Sequence, residues 1–397
     1  MRPTIALAAL ALAAPAWAAD KVKPAPPPPP YAGVYQPRGV DEIGWWREDD
    51  ESERTLANSP KVIRDEALTG YVKSVLCAAV GADRCKATRV YIMREPSFNA
   101  TMSPNGTMRV YSGLLLRVQS EAELAFVLGH EFGHFESRHT LQRFKQARSS
   151  TDLLAWAQVL ASMNSYAATN FNSLQLSVYG GFYRFNRENE READLVGLGY
   201  MNASTLRPQA ASRVWRSRIA EAEASASMRG LKKPRFDRIA YFASHPPEAE
   251  RATYLAALAN PDGDGRDEGG DRYALATAKW MPIFLDDQVK LNDFGASEYI
   301  IGALAERGWT ATLWHARGEL FRMRGAQRDL VNAADFYSKA VALDPSHAEA
   351  QRGLGLSLIK TGRTGEGRAA LESYLALQPA ASDAAMITMT IAATGGK

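Results

Sequence analysis

The segment Gly129–His134, which reads Gly-His-Glu-Phe-Gly-His, constrains this chain more than any other part of its sequence. The apolar run from Leu124 to Leu128 leads into it and predicts a helix. Side chains four residues apart lie on one face of a helix, so His130 and His134 can bind the same metal ion. Glu131 is offset from that face, where it can reach a water molecule on the metal without binding the metal itself. A helix that happens to carry two histidines is the weaker interpretation, because His130, Glu131 and His134 occur together at this spacing.

A zinc site in a hydrolase needs a third protein ligand and leaves its fourth position to water. His139 lies one residue too early to be a third histidine ligand, so we expect it to be structural. The segment Asn189–Asp194 instead places Glu190 and Asp194 on one helix face. We predict that Glu190 is the third ligand and that Asp194 accepts a hydrogen bond from a ligand histidine, with His130 the expected donor. Taken alone, Glu190 also fits an ordinary charged helix face.

The first residues have the pattern of an export signal. A positive residue, Arg2, precedes the apolar stretch Ile5–Ala14, and Ala16–Ala18 matches a cleavage site. We therefore predict a signal peptide over residues 1–18, followed by a proline-rich linker over residues 19–44. An N-terminal core helix is the alternative, and Pro15 together with the proline-rich tract argues against it. The exported chain is expected to be soluble or peripherally associated with a membrane.

Composition excludes two broad classes of protein. The 47 Lys and Arg residues nearly balance the 44 Asp and Glu residues, and a dispersed net charge of +3 argues against binding to nucleic acid. The mature chain has no apolar run long enough to cross a membrane.

The two cysteines, Cys77 and Cys85, are expected to pair as a disulfide in an oxidising compartment. A metal site at that spacing is the alternative.

The order of predicted elements indicates an α+β fold that is mostly helical. Two short strands, Arg89–Met93 and Thr107–Tyr111, flank a turn at Pro104–Gly106. From Ser120 to about residue 258 the pattern is mainly helical. A Gly/Asp-rich segment, residues 259–272, is then predicted to be a solvated linker between two domains.

An internal period marks the last part of the chain. The segment Ala342–Pro345 recurs as Ala376–Pro379, so that the two prolines lie 34 residues apart. Small and aromatic residues such as Ala333 and Tyr337 precede the first of these segments at the spacing of a tetratricopeptide repeat. We predict that residues 273–397 form an α-helical, tetratricopeptide-like repeat region, which would present a concave surface to a protein partner. A set of unrelated helical hairpins is the alternative.

Four motifs occur in an order that resembles the zinc metallopeptidase family M48, the group that includes HtpX-like and CaaX-prenyl peptidases. They are Asn99–Gly106, His130–His134, Arg187–Asp194, and His245–Pro247 with Arg251 six residues after His245. The resemblance covers roughly residues 60–258. The chain departs from the family pattern at Thr101, where an aromatic residue is usual, and at Asn105, which replaces a glycine.

The resemblance implies a gluzincin-type zinc peptidase domain with a small sheet over residues 45–258. It implies one zinc ion per chain, with His130, His134 and Glu190 as ligands and Glu131 as general base. His245 is expected either to stabilise the oxyanion or to occupy the open position on zinc and hold the enzyme latent. Arg251 is expected to orient the site by pairing with a carboxylate.

The resemblance also implies how a substrate binds and where the protein works. An extended or unfolded polypeptide would add as a strand to an edge strand of the sheet. That strand is expected to consist of Thr107, Met108, Arg109, Val110 and Tyr111. The predicted function is hydrolysis of misfolded or unassembled envelope proteins in the periplasm of a Gram-negative bacterium. Expected partners are a protein on the repeat region and outer-membrane assembly components. The alternative is a repeat-based periplasmic chaperone or assembly scaffold whose metal site is latent or regulatory.

Overall fold

The computed structural model describes residues 29–32, 35–163, 185–236, 248–325 and 327–394. The predicted signal peptide and His245 lie outside these residues. Helices dominate, and a single three-stranded sheet lies among the described residues near the start of the chain.

The elements up to residue 258 are nine helices and three strands within the described ranges. In chain order they are α1 (Gly39–Ala57), α2 (Glu66–Val80), α3 (Ala82–Cys85), β1 (Arg89–Met93), β2 (Ala100–Met102), β3 (Thr107–Tyr111), α4 (Ser112–Arg117), α5 (Glu121–Glu136), α6 (His139–Met163), α7 (residues 185–203), α8 (Ala210–Met228) and α9 (Glu248–Leu258). The segment predicted as a proline-rich linker, residues 19–44, is therefore helical from Gly39 onward.

The sheet has the strand order β1-β3-β2, which makes β3 its central strand. β1 runs parallel to β3, with Arg89 opposite Thr107, and β2 runs antiparallel to β3, with Ala100 opposite Val110. The prediction that Thr107–Tyr111 is an edge strand is therefore wrong, because both sides of this strand are already paired. Ala100–Met102, which lie within the motif Asn99–Gly106 and were not predicted as a strand, form the strand that pairs with β3 on its other side.

Helix α5 is the centre of the first part of the chain. The hydroxyl of Ser120 accepts a hydrogen bond from the Glu123 N–H and so caps the first turn. The side chains from Ala122 to His130 are all buried. Helix α7 approaches α5 closely because Gly197 has no side chain. A Cβ at this position would lie 2.9 Å from the backbone nitrogen of His130. This close approach carries Glu190 toward the two histidines.

Residues 259–272, the predicted linker, make specific contacts. Glu268 forms ion pairs with Arg207 and Arg213, each with a 2.6 Å N–O distance. The hydroxyl of Tyr273, just after this segment, donates to the Leu115 carbonyl. One cluster of buried apolar side chains extends from Ile63 to Leu320, on both sides of the segment. The division into domains at 45–258, 259–272 and 273–397 stays a prediction.

Eight helices follow residue 269 within the described ranges, and from α13 onward each helix packs against the next. Tyr337 is fully buried where it faces Gly318 and Gly353, each of which would clash with its ring if it carried a Cβ. The eight helices are α10 (Gly270–Thr277), α11 (Met281–Val289), α12 (Phe294–Ala305), α13 (Ala311–Arg324), α14 (Gln327–Leu343), α15 (Ala348–Lys360), α16 (Thr364–Leu377) and α17 (Ala384–Thr394).

Two further features bear on the setting of the protein. Cys77 and Cys85 form a disulfide that joins α2 to the short helix α3. Among the described helices, none combines the length and the apolar character that crossing a membrane requires.

Candidate metal centre

Three side chains from two helices converge on one point. The Nε2 atoms of His130 and His134 lie 3.1 Å apart. Glu190 approaches both rings, with 3.6 Å from its Oε2 to His130 Nε2 and 3.4 Å from its Oε1 to His134 Nε2. All three ligand atoms lie within 4.8 Å of one another. Across the described parts of the chain, no other group of three His, Cys, Asp or Glu side chains converges in this way.

The chemistry of this donor set fits a zinc ion. Two imidazole nitrogens and one carboxylate oxygen are the ligand types that zinc hydrolases use, with a fourth position left for water. The buried Glu190 carboxylate would also carry an unfavourable desolvation cost that a cation at this point would offset. His130, His134 and Glu190 could therefore hold zinc.

Glu131 lines the same cleft as His130 and Glu190. It follows His130 on α5, so its side chain projects beside the two histidines rather than between them. Burial raises the pKa of Glu131 to about 7, and the nearby Glu190 carboxylate acts in the same direction. A carboxylate placed beside a metal-bound water can accept a proton from it and release that proton later.

Asp194 and Arg251 support His130 from the side away from the convergence point. Asp194 Oδ1 lies 2.9 Å from His130 Nδ1. Arg251 donates two hydrogen bonds to Asp194, at 2.7 Å from Nε and 2.6 Å from Nη2. Tyr254 donates to the same carboxylate, and the Arg251 guanidinium lies 3.5 Å from the centre of the Trp215 ring. Arg251 is 3% exposed and pairs with a carboxylate, so it acts on the centre through Asp194.

These contacts determine the protonation of the group. Burial disfavours the charged form of His130, but the hydrogen bonds that His130 donates to the carboxylates of Asp194 and Glu190 outweigh burial and raise its pKa to about 9. Burial also works against the charged form of Asp194, whereas the charge of Arg251 and the contact with His130 hold its pKa well below the usual range. Burial and the charge of His130 lower the pKa of His134.

Three contacts of the centre were missed by the sequence analysis. His139 Nδ1 lies 2.8 Å from His134 Nδ1, and Glu192 has its Oε2 3.4 Å from His139 Nε2. Arg143 on α6 donates a 2.8 Å hydrogen bond to Glu190. The sequence held one indication of this contact, because Arg143 lies one helical turn after His139 and therefore on the same face of α6.

The cleft beside the centre lies between α5 and β2, which is an edge strand of the sheet among the described residues. The hydrogen bonds from the Tyr111 N–H to the Asn99 carbonyl and from the Ser103 N–H to the Thr107 carbonyl show which residues of this strand face β3. In an antiparallel ladder the alternate residues, Ala100 and Met102, direct their peptide groups away from β3. Ala100 lines the cleft together with Glu131. The strand edge next to the metal ligands is thus β2.

Comparison with known proteins gives a consistent result. Residues 64–259 match the sequence profile described as peptidase family M48. A Vibrio cholerae serotype O1 protein, designated a candidate beta-barrel assembly-enhancing protease, is 33% identical over 158 residues, which are 36% of this chain and 31% of that protein. The mitochondrial metalloendopeptidase OMA1 of Schizosaccharomyces pombe is 33% identical over 129 residues, 32% of this chain and 36% of OMA1. The beta-barrel assembly-enhancing protease of Escherichia coli K12 is 27% identical over 169 residues, 40% of this chain and 34% of that protein. The matched region spans about a third of the length of each relative.

Proposed function

We propose, on the premise that residues 64–259 are a metallopeptidase domain of family M48, that this protein is a zinc-dependent endopeptidase acting on extended or unfolded polypeptides. The observation that carries the proposal is the convergence of His130, His134 and Glu190 beside Glu131, in a cleft that is lined in part by β2, an edge strand of the sheet among the described residues. One zinc ion per chain is proposed at that point.

The ligand residues have defined tasks in this proposal. Zinc, when bound, lowers the pKa of a ligated water and polarises the scissile carbonyl. Asp194 holds the Nδ1 proton of His130, which leaves Nε2 free to serve as the ligand atom. Arg251 compensates the buried charge of Asp194 and keeps its carboxylate in place.

Glu131 is the proposed general base. It accepts the proton of the attacking water and later delivers that proton to the amine that leaves. Its position in the cleft, next to the ligands but outside the ligand set, supports this role. His245 is the proposed additional donor to the oxyanion, or a residue that holds the enzyme latent, on the strength of the His245–Pro247 motif alone.

The proposed substrate edge is β2, which replaces the strand expected from the sequence. The outward peptide groups of Ala100 and Met102 can pair with an extended segment that lies along the cleft. Main-chain pairing of this kind selects for unfolded or extended chains, because a folded segment cannot offer its own peptide groups. This supports unfolded polypeptide as the substrate class.

Setting and partners are proposed from the sequence pattern and the relatives. The pattern Arg2–Ala18 supports export, and two of the relatives are named for beta-barrel assembly. We therefore propose a periplasmic location and misfolded or unassembled envelope proteins as substrates. Consecutive packing from α13 onward, Tyr337 between two glycines and the 34-residue proline period support a tetratricopeptide-like region that binds a partner, such as an outer-membrane assembly component.

The experiment that tests the proposal is metal removal and restoration. Casein is incubated with the purified chain lacking residues 1–18, before chelation, after chelation, and after zinc is returned in equimolar amount. We expect cleavage to be lost on chelation and recovered with zinc. Cleavage that survives complete zinc removal would contradict the proposal.

A further inference from the structure

The two ligand histidines have different partners on their far sides. His130 Nδ1 faces the carboxylate of Asp194, which Arg251 compensates. His134 Nδ1 instead faces another imidazole, that of His139, at 2.8 Å. His139 is 0% exposed, so the interaction lies in an environment with little water to replace it.

Local backbone geometry puts His139 in this place. Helix α5 ends at Glu136, and Arg138 adopts a left-handed conformation with φ of 56°. The chain turns there, and α6 begins at His139. Since the turn interrupts the helical repeat, the residue five positions after His134 reaches back to it. A regular helix would bring positions three and four residues away instead.

The hydrogen-bonding capacity of imidazole assigns the protons. A histidine that binds zinc through Nε2 carries its proton on Nδ1, so His134 donates to His139 Nδ1. His139 must then accept at Nδ1 and carry its own proton on Nε2. That atom lies 3.4 Å from Glu192 Oε2, and the Ser137 hydroxyl donates a 2.9 Å hydrogen bond to the other carboxylate oxygen. Glu192 is thus the carboxylate nearest to the Nε2 proton assigned to His139, at an ion-pair distance.

We propose that His139 is a positioning residue that sets the tautomer and ring orientation of His134, and that Glu192 does the same for His139. The inference rests on the proposed function, because it takes zinc to bind at His130, His134 and Glu190. Partners on the far side of a ligand histidine typically contribute 10- to 100-fold in metal affinity. Because the neutral imidazole of His139 lies between His134 and Glu192, Glu192 can act on the zinc site from a half-exposed position. No further carboxylate then has to be buried beside Glu190 and Asp194.

Two substitutions separate this role from simple packing. His139→Asn keeps an acceptor oxygen near the position of Nδ1, whereas His139→Phe keeps a ring of similar size without any acceptor. If His139 only fills space, the phenylalanine variant should resemble the wild type more closely. If it positions His134, the asparagine variant should. His315→Phe, in α13 and outside the centre, is the matched control.

The test measures zinc affinity by competition with a chromophoric chelator, using the full chain without residues 1–18. We expect His139→Phe to weaken zinc binding by about 10- to 100-fold and His139→Asn to stay near the wild type. The absorption spectrum of the Co²⁺-loaded protein should shift in the phenylalanine variant only. Glu192→Gln, a change at a half-exposed side chain, should weaken zinc binding by about tenfold, and it decides the question if His139→Phe fails to fold.

The outcomes distinguish the two proposals. Wild-type zinc affinity and an unchanged Co²⁺ spectrum in His139→Phe would overturn the inference, as would wild-type affinity in Glu192→Gln where the phenylalanine variant does not fold. In both cases the wild type still binds one zinc. Failure of the wild type itself to bind zinc would instead contradict the proposed function.

Discussion

At the scale of single residues, the centre depends on charges that are buried and paired. Asp194 is fully buried and Arg251 is 3% exposed, so each is the principal counter-charge of the other. The two-point contact between them is the geometry in which arginine holds a carboxylate most firmly. The orientation of His130 therefore depends on this ion pair, and Arg251 Nη1 also lies 3.9 Å from the Glu190 Oε2.

Removing one partner of this pair should be costly. Arg251→Met leaves Asp194 buried without its counter-charge, and we expect the free energy of unfolding of the metal-free protein to fall by about 3–5 kcal/mol. The double variant Asp194→Leu with Arg251→Met should recover much of this loss, because it removes both charges. Urea unfolding measures all three proteins. A loss below about 1 kcal/mol in the single variant would show that the ion pair between Asp194 and Arg251 contributes little to the stability of the fold.

Glu53 provides a residue-scale prediction on pH. It joins α1 to the sheet by accepting hydrogen bonds from Arg89 and Tyr91. Burial alone would raise the pKa of Glu53, but these hydrogen bonds outweigh it and lower the pKa from 4.5 to about 2. The stabilisation is therefore complete above pH 4.5 and is lost as the pH falls toward 2. Glu53→Gln should lower the free energy of unfolding by about 2 kcal/mol at pH 7, with the difference shrinking across that window. A difference that is equal at pH 7 and pH 3 in urea unfolding would contradict this assignment.

At the scale of elements, the approach of α7 to α5 positions the third ligand. Gly197→Ala should force the two helices apart, since its Cβ would lie 2.9 Å from the backbone nitrogen of His130. We expect a loss of about 1–3 kcal/mol in unfolding free energy together with weaker zinc binding. Gly199→Ala on the same helix is the matched control, because its Cβ meets nothing within 4 Å, and it should be neutral or slightly stabilising. Equal behaviour of the two variants would refute the close-approach argument.

Contacts within and between elements differ in how well the sequence predicts them. The spacing of His130 and His134 is a local property of one helix, so a sequence pattern is enough to place them on one face. The pairing of β3 is non-local: the three residues of β2 carry no strong strand pattern, and their partner lies across a turn. The contact between His139 and His134 depends on the left-handed backbone at Arg138, which no periodic pattern indicates. Arg143 reaches Glu190 only because α6 folds back toward α7.

At the scale of the whole molecule, the apolar core continues beyond residue 259, where the match to peptidase family M48 ends. Tyr273, Phe284 and Leu285 belong to the same buried cluster as residues of α2 and α5. A chain cut after Leu258 would expose those contacts. The helices after the profile are therefore expected to support the fold of the catalytic part as well as to bind a partner.

This arrangement predicts different effects of two truncations. Ending the chain after Leu258 should yield protein that is aggregated or readily degraded, because the cluster loses its C-terminal members. Ending it after Leu343 removes only α15–α17 and should leave zinc binding intact. Limited proteolysis and zinc content measure the outcome. A stable, zinc-binding product that ends at Leu258 would show that the first part folds independently of the rest.

The central claim is that Glu131 performs proton transfer beside zinc held by His130, His134 and Glu190. The most direct measurement compares casein cleavage by the wild type and by Glu131→Gln, with zinc content determined on the same samples. We expect one zinc per chain in both proteins and cleavage by the wild type only, with a rate loss of at least about 100-fold in the variant. Equal cleavage by both proteins at equal zinc content would contradict it.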